Sequence, residues 1–152
     1  MDRTQKTEIV NMCMVCRDGF VLVQDKVHSE WGGLTFPGGH VEREEAFADA
    51  VIREVLEETG LTITAPRLCG VKDWVNEDGS RYMVLFYQTD QFEGELKDSE
   101  EGTVFWMSLD ELLSSDDRLA LDMKDMIRVF LDDTLSEFFY YQENGEWRYK
   151  LK

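Results

Sequence analysis

The alternation of apolar and polar positions predicts a β-hairpin at the start of the chain. Residues 8–16 and 20–24 are rich in β-branched and other apolar side chains, and Arg17-Asp18-Gly19 separates them. Asp followed by Gly is typical of tight turns that join antiparallel strands. We therefore expect two paired strands to begin the fold.

An amphipathic helix and three further strands follow. Residues 44–59 carry apolar side chains at helical spacing, and Gly60 stands where a helix commonly stops. After this helix come apolar segments that predict strands, with a turn at Asn76-Glu77-Asp78-Gly79 before the last of them. These predicted strands cover residues 61–65, 68–75 and 81–90.

The last third of the chain alternates between the two kinds of element. Residues 103–107 predict a strand, 109–113 a helical turn, and 117–131 an amphipathic helix. Two aromatic-rich strands, 138–141 and 147–151, flank Asn144-Gly145 and predict a final hairpin. The order of elements indicates an α/β fold, with a mixed sheet covered by at least two helices.

Length and charge restrict what the chain binds. Its 152 residues correspond to a single domain over residues 1–152, and 32 acidic against 16 basic side chains give a formal charge of −16. This charge repels nucleic-acid polymers and anionic membrane surfaces, so neither partner is expected. Residues 1–8 are polar and lack the pattern of an export signal, and no apolar run could span a bilayer, so we expect a cytoplasmic protein.

The three cysteines do not form a metal or disulfide framework. Cys13, Cys16 and Cys69 are too few for a four-thiolate site and odd in number. Cys13 and Cys16 spell C-x-x-C, but they lie in a predicted strand, where residues three apart point to opposite faces. We expect them to be structural thiols.

Three glutamates of the predicted helix suggest a cation site. Glu54, Glu57 and Glu58 are spaced i, i+3 and i+4, which places their carboxylates on one helix face. Their mutual repulsion favours a compensating ion. A hard divalent cation such as Mg²⁺ fits best, because it prefers carboxylate oxygens, and the two histidines, His28 and His40, lie outside this helix.

The sequence around these glutamates resembles a known family signature. Two glycines, four glutamates, one arginine and two aliphatic residues stand at fixed offsets between positions 39 and 61. This pattern is similar to the signature of the Nudix hydrolases, which cleave nucleoside diphosphates linked to another moiety. The matching residues are Gly39, Glu45, Arg53, Glu54, Val55, Glu57, Glu58, Gly60 and Leu61.

The resemblance implies a fold, a cofactor and a set of roles. It implies a Nudix-type α/β/α sandwich with a mixed central sheet, Mg²⁺ or Mn²⁺ as cofactor, and a nucleotide substrate, with homodimers frequent among relatives. The ligands that it implies are Glu54, Glu57, Glu58 and the carbonyl oxygen of Gly38. Glu54 matches the residue often assigned as general base, although the sequence leaves open which glutamate takes this role, and Glu45 with Arg53 matches the ion pair that orients it.

Further site residues are weaker candidates. A fifth ligand matches Glu101, with Glu100 as the alternative, on the loop before the strand at 103–107. Looser similarity suggests Asp122 as a hydrogen-bond acceptor for a purine edge, with Thr35 or Leu119 lining the pocket. Cationic side chains for the distal phosphates are Arg17, Lys26 and Arg81. Trp31 is either a cover over the site or a packing anchor.

The substrate class is inferred partly from what the chain lacks. A proline associated with ADP-ribose cleavage would fall near Asn76 or Glu77, and Tyr82 stands too late for the tyrosine associated with dinucleoside polyphosphates. The remaining pattern resembles small nucleoside-triphosphate diphosphatases, including those that hydrolyse 8-oxo-dGTP. Two alternatives stay open: a Nudix pyrophosphatase for ADP-ribose, a nucleotide sugar or an RNA 5′ end, and a non-catalytic nucleotide-sensing module.

Overall fold

The computed structural model of the chain describes residues 1–26 and 32–152. Over these residues the chain forms ten strands and three α-helices. The strands are β1 Thr7–Arg17, β2 Phe20–Lys26, β3 Gly33–Thr35, β4 Leu61–Thr64, β5 Arg67–Val75, β6 Arg81–Thr89, β7 Gln91–Gly94, β8 Thr103–Ser108, β9 Glu137–Glu143 and β10 Glu146–Leu151. The helices are α1 Phe47–Thr59, α2 Leu109–Leu113 and α3 Met123–Leu131.

The central sheet is mixed, as expected. Its strand order is β10-β9-β5-β6-β1-β2-β3, and β8 also pairs with β2. β1 is parallel to β6 and β5 is parallel to β9, whereas the other neighbours along this order are antiparallel. β4 and β7 form a separate antiparallel pair. Both predicted terminal hairpins are present, and their turns hold Asp18 and Asn144 in the left-handed region together with the glycine that follows each.

The sheet has a core on each face. Val51 and Val55 of α1 pack with Cys13, Val15 and Leu22 on one side. On the other side, buried side chains of α3 pack against those of β1, β2, β6 and β9, and Cys16 contacts this second core rather than the first. This two-sided covering confirms the α/β fold, and the two cysteines point to opposite faces as predicted.

Two helices begin later than the periodicity predicts. α1 was expected from residue 44, but Glu44 has a φ of 64°, which no helical residue adopts, and the helix begins at Phe47. α3 was expected from residue 117, but Asp122 has a φ of 59°, and the helix begins at Met123. The preceding segment instead pairs with β3: Leu34 donates to the carbonyl of Arg118 and accepts from Ala120.

A loop replaces β2 beside part of β1. β1 and β2 pair next to their turn, and beyond it residues 37–41 lie along β1. The backbone N–H groups of Asn11 and Cys13 each donate over 2.8 Å, to the carbonyls of Gly39 and Pro37 respectively. This pairing holds the two glycines against the sheet, facing the C-terminal half of α1.

The described residues contain no helix that is long and apolar enough to cross a membrane. Trp31 lies outside the described residues, so the structure does not report on its predicted role.

Candidate active site

Arg53 is the centre of a hydrogen-bonded network. Its guanidinium binds both carboxylate oxygens of Glu45, with Nε to Oε1 at 2.8 Å and Nη2 to Oε2 at 2.9 Å. Nη2 also donates to the carbonyl of His40 at 2.9 Å, and Nη1 donates to Oε1 of Glu54 at 2.8 Å. Bidentate arginine–carboxylate pairs are strong and directional. The network therefore holds the carboxylate of Glu54 in one orientation.

Glu45 is the anchor of this network at the start of α1. Oε2 of Glu45 also accepts from the backbone N–H of Glu42 at 2.9 Å. The hydrogen bonds from Arg53 and this N–H lower the pKa of Glu45 to about 2, and the paired carboxylates raise the pKa of Arg53. The pair stays charged over the whole physiological range. It ties the loop at residues 40–45 to the middle of α1.

Gly39 lies directly against the carboxylate of Glu54. A Cβ at position 39 would lie 2.4 Å from Oε2 of Glu54, well inside van der Waals contact. The backbone N–H of Gly39 donates to Oδ1 of Asn11 at 3.3 Å. A side chain at position 39 would therefore push this carboxylate away from the position in which Arg53 holds it.

Glu58 is buried at the same place. Its side chain is 6% exposed, Oε2 accepts from the backbone N–H of Gly38 at 3.0 Å, and Nζ of Lys26 lies 3.9 Å from Oε1. Burial raises the pKa of Glu58 to about 7; Lys26 and the N–H of Gly38 oppose this rise, and the charges of Glu54 and Glu101 add to it. The carboxylates are therefore close enough to affect one another.

Glu57 and Glu101 border the site on its solvent side. The carboxylate of Glu57 is 57% exposed and lies 3.3 Å from Nη1 of Arg53, the atom that also binds Glu54. Glu101 is exposed on the turn at residues 99–102, and the next residue, Gly102, packs against the backbone of Asp25. This arrangement places Glu101 near the end of β2, where Lys26 lies.

The donor set suits a hard divalent cation. The carboxylates of Glu58 and Glu54 lie against Gly38 and Gly39, Glu57 lies beside Arg53, and the charge of Glu101 acts on Glu58, whose pKa is raised mainly by burial. In the described part of the chain, no three acidic, His or Cys side chains converge closely enough to hold a metal. Binding an ion would therefore require side-chain rotation, which the exposure of Glu57 allows once its contact with Arg53 is released.

We expect Glu58 to make stability depend on pH. Its pKa rises from the usual 4.5 to about 7 on folding. A carboxyl group that binds its proton more tightly when folded stabilises the fold fully below pH 4.5, and this contribution is lost as the pH rises towards 7. Without divalent cation, wild type should lose on the order of 3 kcal/mol of unfolding free energy between about pH 5 and about pH 8, relative to Glu58→Gln. Urea unfolding of both proteins measures this difference, and an equal gap at both pH values would contradict it.

Two predicted substrate cations lie elsewhere. The guanidinium of Arg17 lies 3.9 Å from the ring centroid of Phe92, at the opposite end of β2 from Lys26. Arg81 pairs with the buried carboxylate of Asp73. The structure brings only Lys26 of the three to the glutamates, because β2 extends for seven residues between its two ends.

The three residues predicted to contact the base lie near one another, on the edge formed by β3 and the start of α3. Leu34, next to Thr35 in sequence, pairs with Leu119 in a parallel bridge. Oγ1 of Thr35 lies 3.9 Å from Sδ of Met123, the residue after Asp122. Burial raises the pKa of Asp122, and nearby Lys72 opposes that rise.

Three polar residues near the site were not found from the sequence. Asn11 and Gln24 are 3% and 0% exposed, and Nδ2 of Asn11 and both amide atoms of Gln24 have no hydrogen-bond partner among the described residues. Asn11 and Gln24 each stand inside an apolar strand, and this pattern in the sequence could have identified them. Lys72 carried no signal in the sequence, because its importance comes from strands that the fold brings beside it.

Comparison with known proteins gives the same family as the site. The NUDIX domain family matches residues 6–130. An uncharacterized Nudix hydrolase of Bacillus subtilis, YvcI, is 34% identical over 108 residues, which cover 68% of this chain and 67% of that protein. A solved MutT protein from Bacillus halodurans is 30% identical with a TM-score of 0.76, covering 95% of this chain and 97% of the other.

A more distant solved structure shows the same fold. It is a bifunctional NMN adenylyltransferase/ADP ribose pyrophosphatase from Francisella tularensis, in complex with AMP and a Mn ion. It is 23% identical with a TM-score of 0.64, and the match covers 87% of this chain and 43% of that one.

The fold and the glutamate-lined loop and helix define a hydrolase of phosphoric anhydride bonds. The chain belongs to the Nudix family, as a pyrophosphohydrolase that acts on small nucleotide substrates. Members of this family generally use divalent metal ions.

Proposed function

We propose that the chain hydrolyses a nucleoside or deoxynucleoside triphosphate, with 8-oxo-dGTP among its substrates, to the nucleoside monophosphate and pyrophosphate. The observation that carries the proposal is the network in which Arg53 and Gly39 hold the carboxylate of Glu54 beside buried Glu58. A fixed carboxylate next to oxygen ligands suits the activation of water at a phosphate chain.

Each residue of the site has a separate part in this proposal. Glu54, Glu57, Glu58, Glu101 and the carbonyl of Gly38 would hold Mg²⁺ or Mn²⁺, which supplies charge neutralisation for the phosphates and makes water more acidic. Glu54 accepts the proton as the water oxygen bonds to phosphorus and the bond from phosphorus to the bridging oxygen breaks. The Arg53–Glu45 pair is a positioning element, since it orients Glu54 without reaching the substrate.

Charge at the end of β2 supports a triphosphate. Lys26 is a cation beside the carboxylates, in a protein whose net charge of −16 otherwise repels polyphosphate. The turn that carries Glu101 borders the same region, and this carboxylate would be a further ligand for a divalent cation that neutralises a longer phosphate chain. The match to the Bacillus halodurans MutT protein over 95% of this chain also supports this choice.

Product identification tests the proposed reaction. We expect dGTP, 8-oxo-dGTP and other triphosphates to yield a nucleoside monophosphate and pyrophosphate with Mg²⁺, measured by ion-exchange chromatography and phosphorus NMR. ADP-ribose, a nucleotide sugar and a capped RNA serve as parallel substrates. Release of orthophosphate from the triphosphates, or preferential release of a sugar phosphate from the other compounds, would contradict the proposal, and tight binding without turnover would favour a nucleotide-sensing module.

The proposal has three further parts. It includes a single domain over residues 1–152, action in the cytoplasm on the nucleotide pool, and a homodimer. The exposed aromatic side chains of β10, Trp147 at 51% and Tyr149 at 39%, support an interface at the outer strand of this hairpin. Sedimentation velocity measures the oligomeric state.

A further inference from the structure

A lysine on β5 lies in an aromatic environment. Nζ of Lys72 lies 5.0 Å from the ring centroid of Tyr140, 5.5 Å from that of Phe138 and 5.7 Å from that of Trp74. Among the residues that the structure describes, no carboxylate lies within 4.0 Å of this ammonium group. Burial lowers the pKa of Lys72 to about 8, and the charge of Asp122 opposes this. A positive charge is thus held without an ion pair.

The groups around Lys72 form a surface that is only partly covered. We call this the Lys72 surface; it comprises Lys72, Trp74, Tyr82, Asp122 and Tyr140, all of them half-buried. Trp74 stacks on Tyr82 with ring centroids 4.5 Å apart, and Tyr140 meets the edge of Trp74 at 6.1 Å. The hydroxyl of Tyr140 is buried and has no hydrogen-bond partner among the described residues. Rigid rings with unpaired polar groups are typical of a binding surface rather than of a core.

The Lys72 surface lies within reach of the hydrolytic site. Lys72 pairs with Val84 across β5 and β6, Val84 pairs with Val10 across β6 and β1, and Val10 bridges to His40 beside the glycine loop. The two steps between adjacent strands, from Lys72 to Val10, span about 10 Å, and the bridge from Val10 to His40 adds about 5 Å. A nucleotide that extends along this row of residues from the glutamates would bring its base to the Lys72 surface.

The chemistry of the two charged groups selects one kind of base. A lysine ammonium only donates hydrogen bonds, and an ionised carboxylate only accepts them. Guanine and 8-oxoguanine both carry an acceptor oxygen on C6, where adenine carries an amino donor. Guanine also carries two adjacent donors, N1–H and the 2-amino group, which match a carboxylate. The Tyr and Trp rings supply faces on which a planar base stacks.

We infer that Lys72 is a specificity-determining residue that, together with Asp122, makes the enzyme prefer guanine-type bases over adenine. The inference rests on the proposed nucleotide substrate and adds the base class to it. Lys72 binds the oxygen on C6 of the base, and Asp122 accepts from the donors on its neighbouring edge.

Binding of reaction products tests this without any turnover. GMP and AMP are titrated into the protein in the presence of Mg²⁺ by isothermal calorimetry. Wild type should bind GMP at least about tenfold more tightly than AMP, and Lys72→Met should reduce this ratio about tenfold, as expected for one lost charge-assisted hydrogen bond. Asp122→Asn should lower the ratio in the same direction.

Lys150→Met is the matched control. Nζ of Lys150 lies 4.7 Å from the ring centroid of Tyr141, so it makes the same kind of contact, but Tyr141 and Tyr140 point to opposite faces of β9. This variant should keep the wild-type ratio. A wild-type protein without preference for GMP would overturn the inference, as would a Lys72→Met protein that keeps the ratio, whatever its stability.

Kinetics separate this inference from the proposed function. If GTP is hydrolysed, Lys72→Met should raise its KM while kcat changes little, because the base lies away from the reacting phosphorus. If the protein binds GMP selectively but releases no pyrophosphate from GTP, the proposed function fails and the role of Lys72 in base selection is upheld.

Discussion

Replacing Glu54 by glutamine should lower kcat for triphosphate hydrolysis about 10²–10⁴-fold, the range for loss of a positioned general base. Glutamine keeps the volume of the side chain and the hydrogen bond from Arg53 to the side-chain oxygen, so the free energy of unfolding should change little. The amide cannot take a proton from water, and it is a poorer ligand for a divalent cation. Steady-state kinetics with detection of pyrophosphate measures the effect.

Glu93→Gln is the control for this variant, because Glu93 is an exposed glutamate on β7, in the small sheet apart from the site. Glu93→Gln removes one negative charge, as Glu54→Gln does, but its kcat should equal that of wild type. If Glu54→Gln retained wild-type turnover, the proton acceptor would be another group, and the Arg53 network would serve only to hold the loop.

Replacing Gly38 by alanine should cost about 3 kcal/mol or more of unfolding free energy, at the upper end of the range for overpacking. A Cβ at this position would lie 2.1 Å from the backbone oxygen of Asn11, and neither backbone can move without breaking the pairing of residues 37–41 with β1. The N–H that Glu58 accepts would move as well. Denaturant unfolding should show the loss of stability, and pyrophosphate release should fall with it.

Gly79→Ala separates this clash from the general cost of losing a glycine. Gly79 has a φ of 81° in the turn between β5 and β6, and nothing lies within 4 Å of the Cβ that alanine would add. That variant should lose only about 1–2 kcal/mol, the cost of a left-handed conformation for alanine. Equal losses in the two variants would show that the loop at Gly38 can move away from β1.

Local signals predicted much of the fold because the interactions behind them are local. The turns at Asp18-Gly19 and Asn144-Gly145 need left-handed residues, and the helical spacing ending at Gly60 reflects contacts within a few turns. The same reasoning failed where distant chain segments compete. Helical periodicity predicted α3 from residue 117, but residues 118–120 gain backbone hydrogen bonds from Leu34, far away in sequence.

Part of the candidate site could likewise be predicted from the sequence, and part depends on distant chain segments. Its acidic residues lie within one loop and one helix, so their spacing alone placed them together, and the structure brings Glu45, Arg53, Glu54 and Glu58 into contact with the glycine loop. Lys26 and Arg17 were equal candidates in sequence. The direction of β2 separates them, because Lys26 at its end lies beside Glu58, whereas Arg17, which pairs with its first residue, lies over the ring of Phe92.

The order of residues along the chain was sufficient for the family, the acidic face of α1 and the sign of the charge that a substrate must overcome. These properties depend on spacing over one helix and on counting charges, and both are independent of how strands pair. Only the tertiary structure set the burial of Glu58, the place of Lys26 beside it and the aromatic surroundings of Lys72. Those features arise from β1, β2, β5 and β9 lying side by side, since the loss of water around a group depends on neighbours far away in sequence.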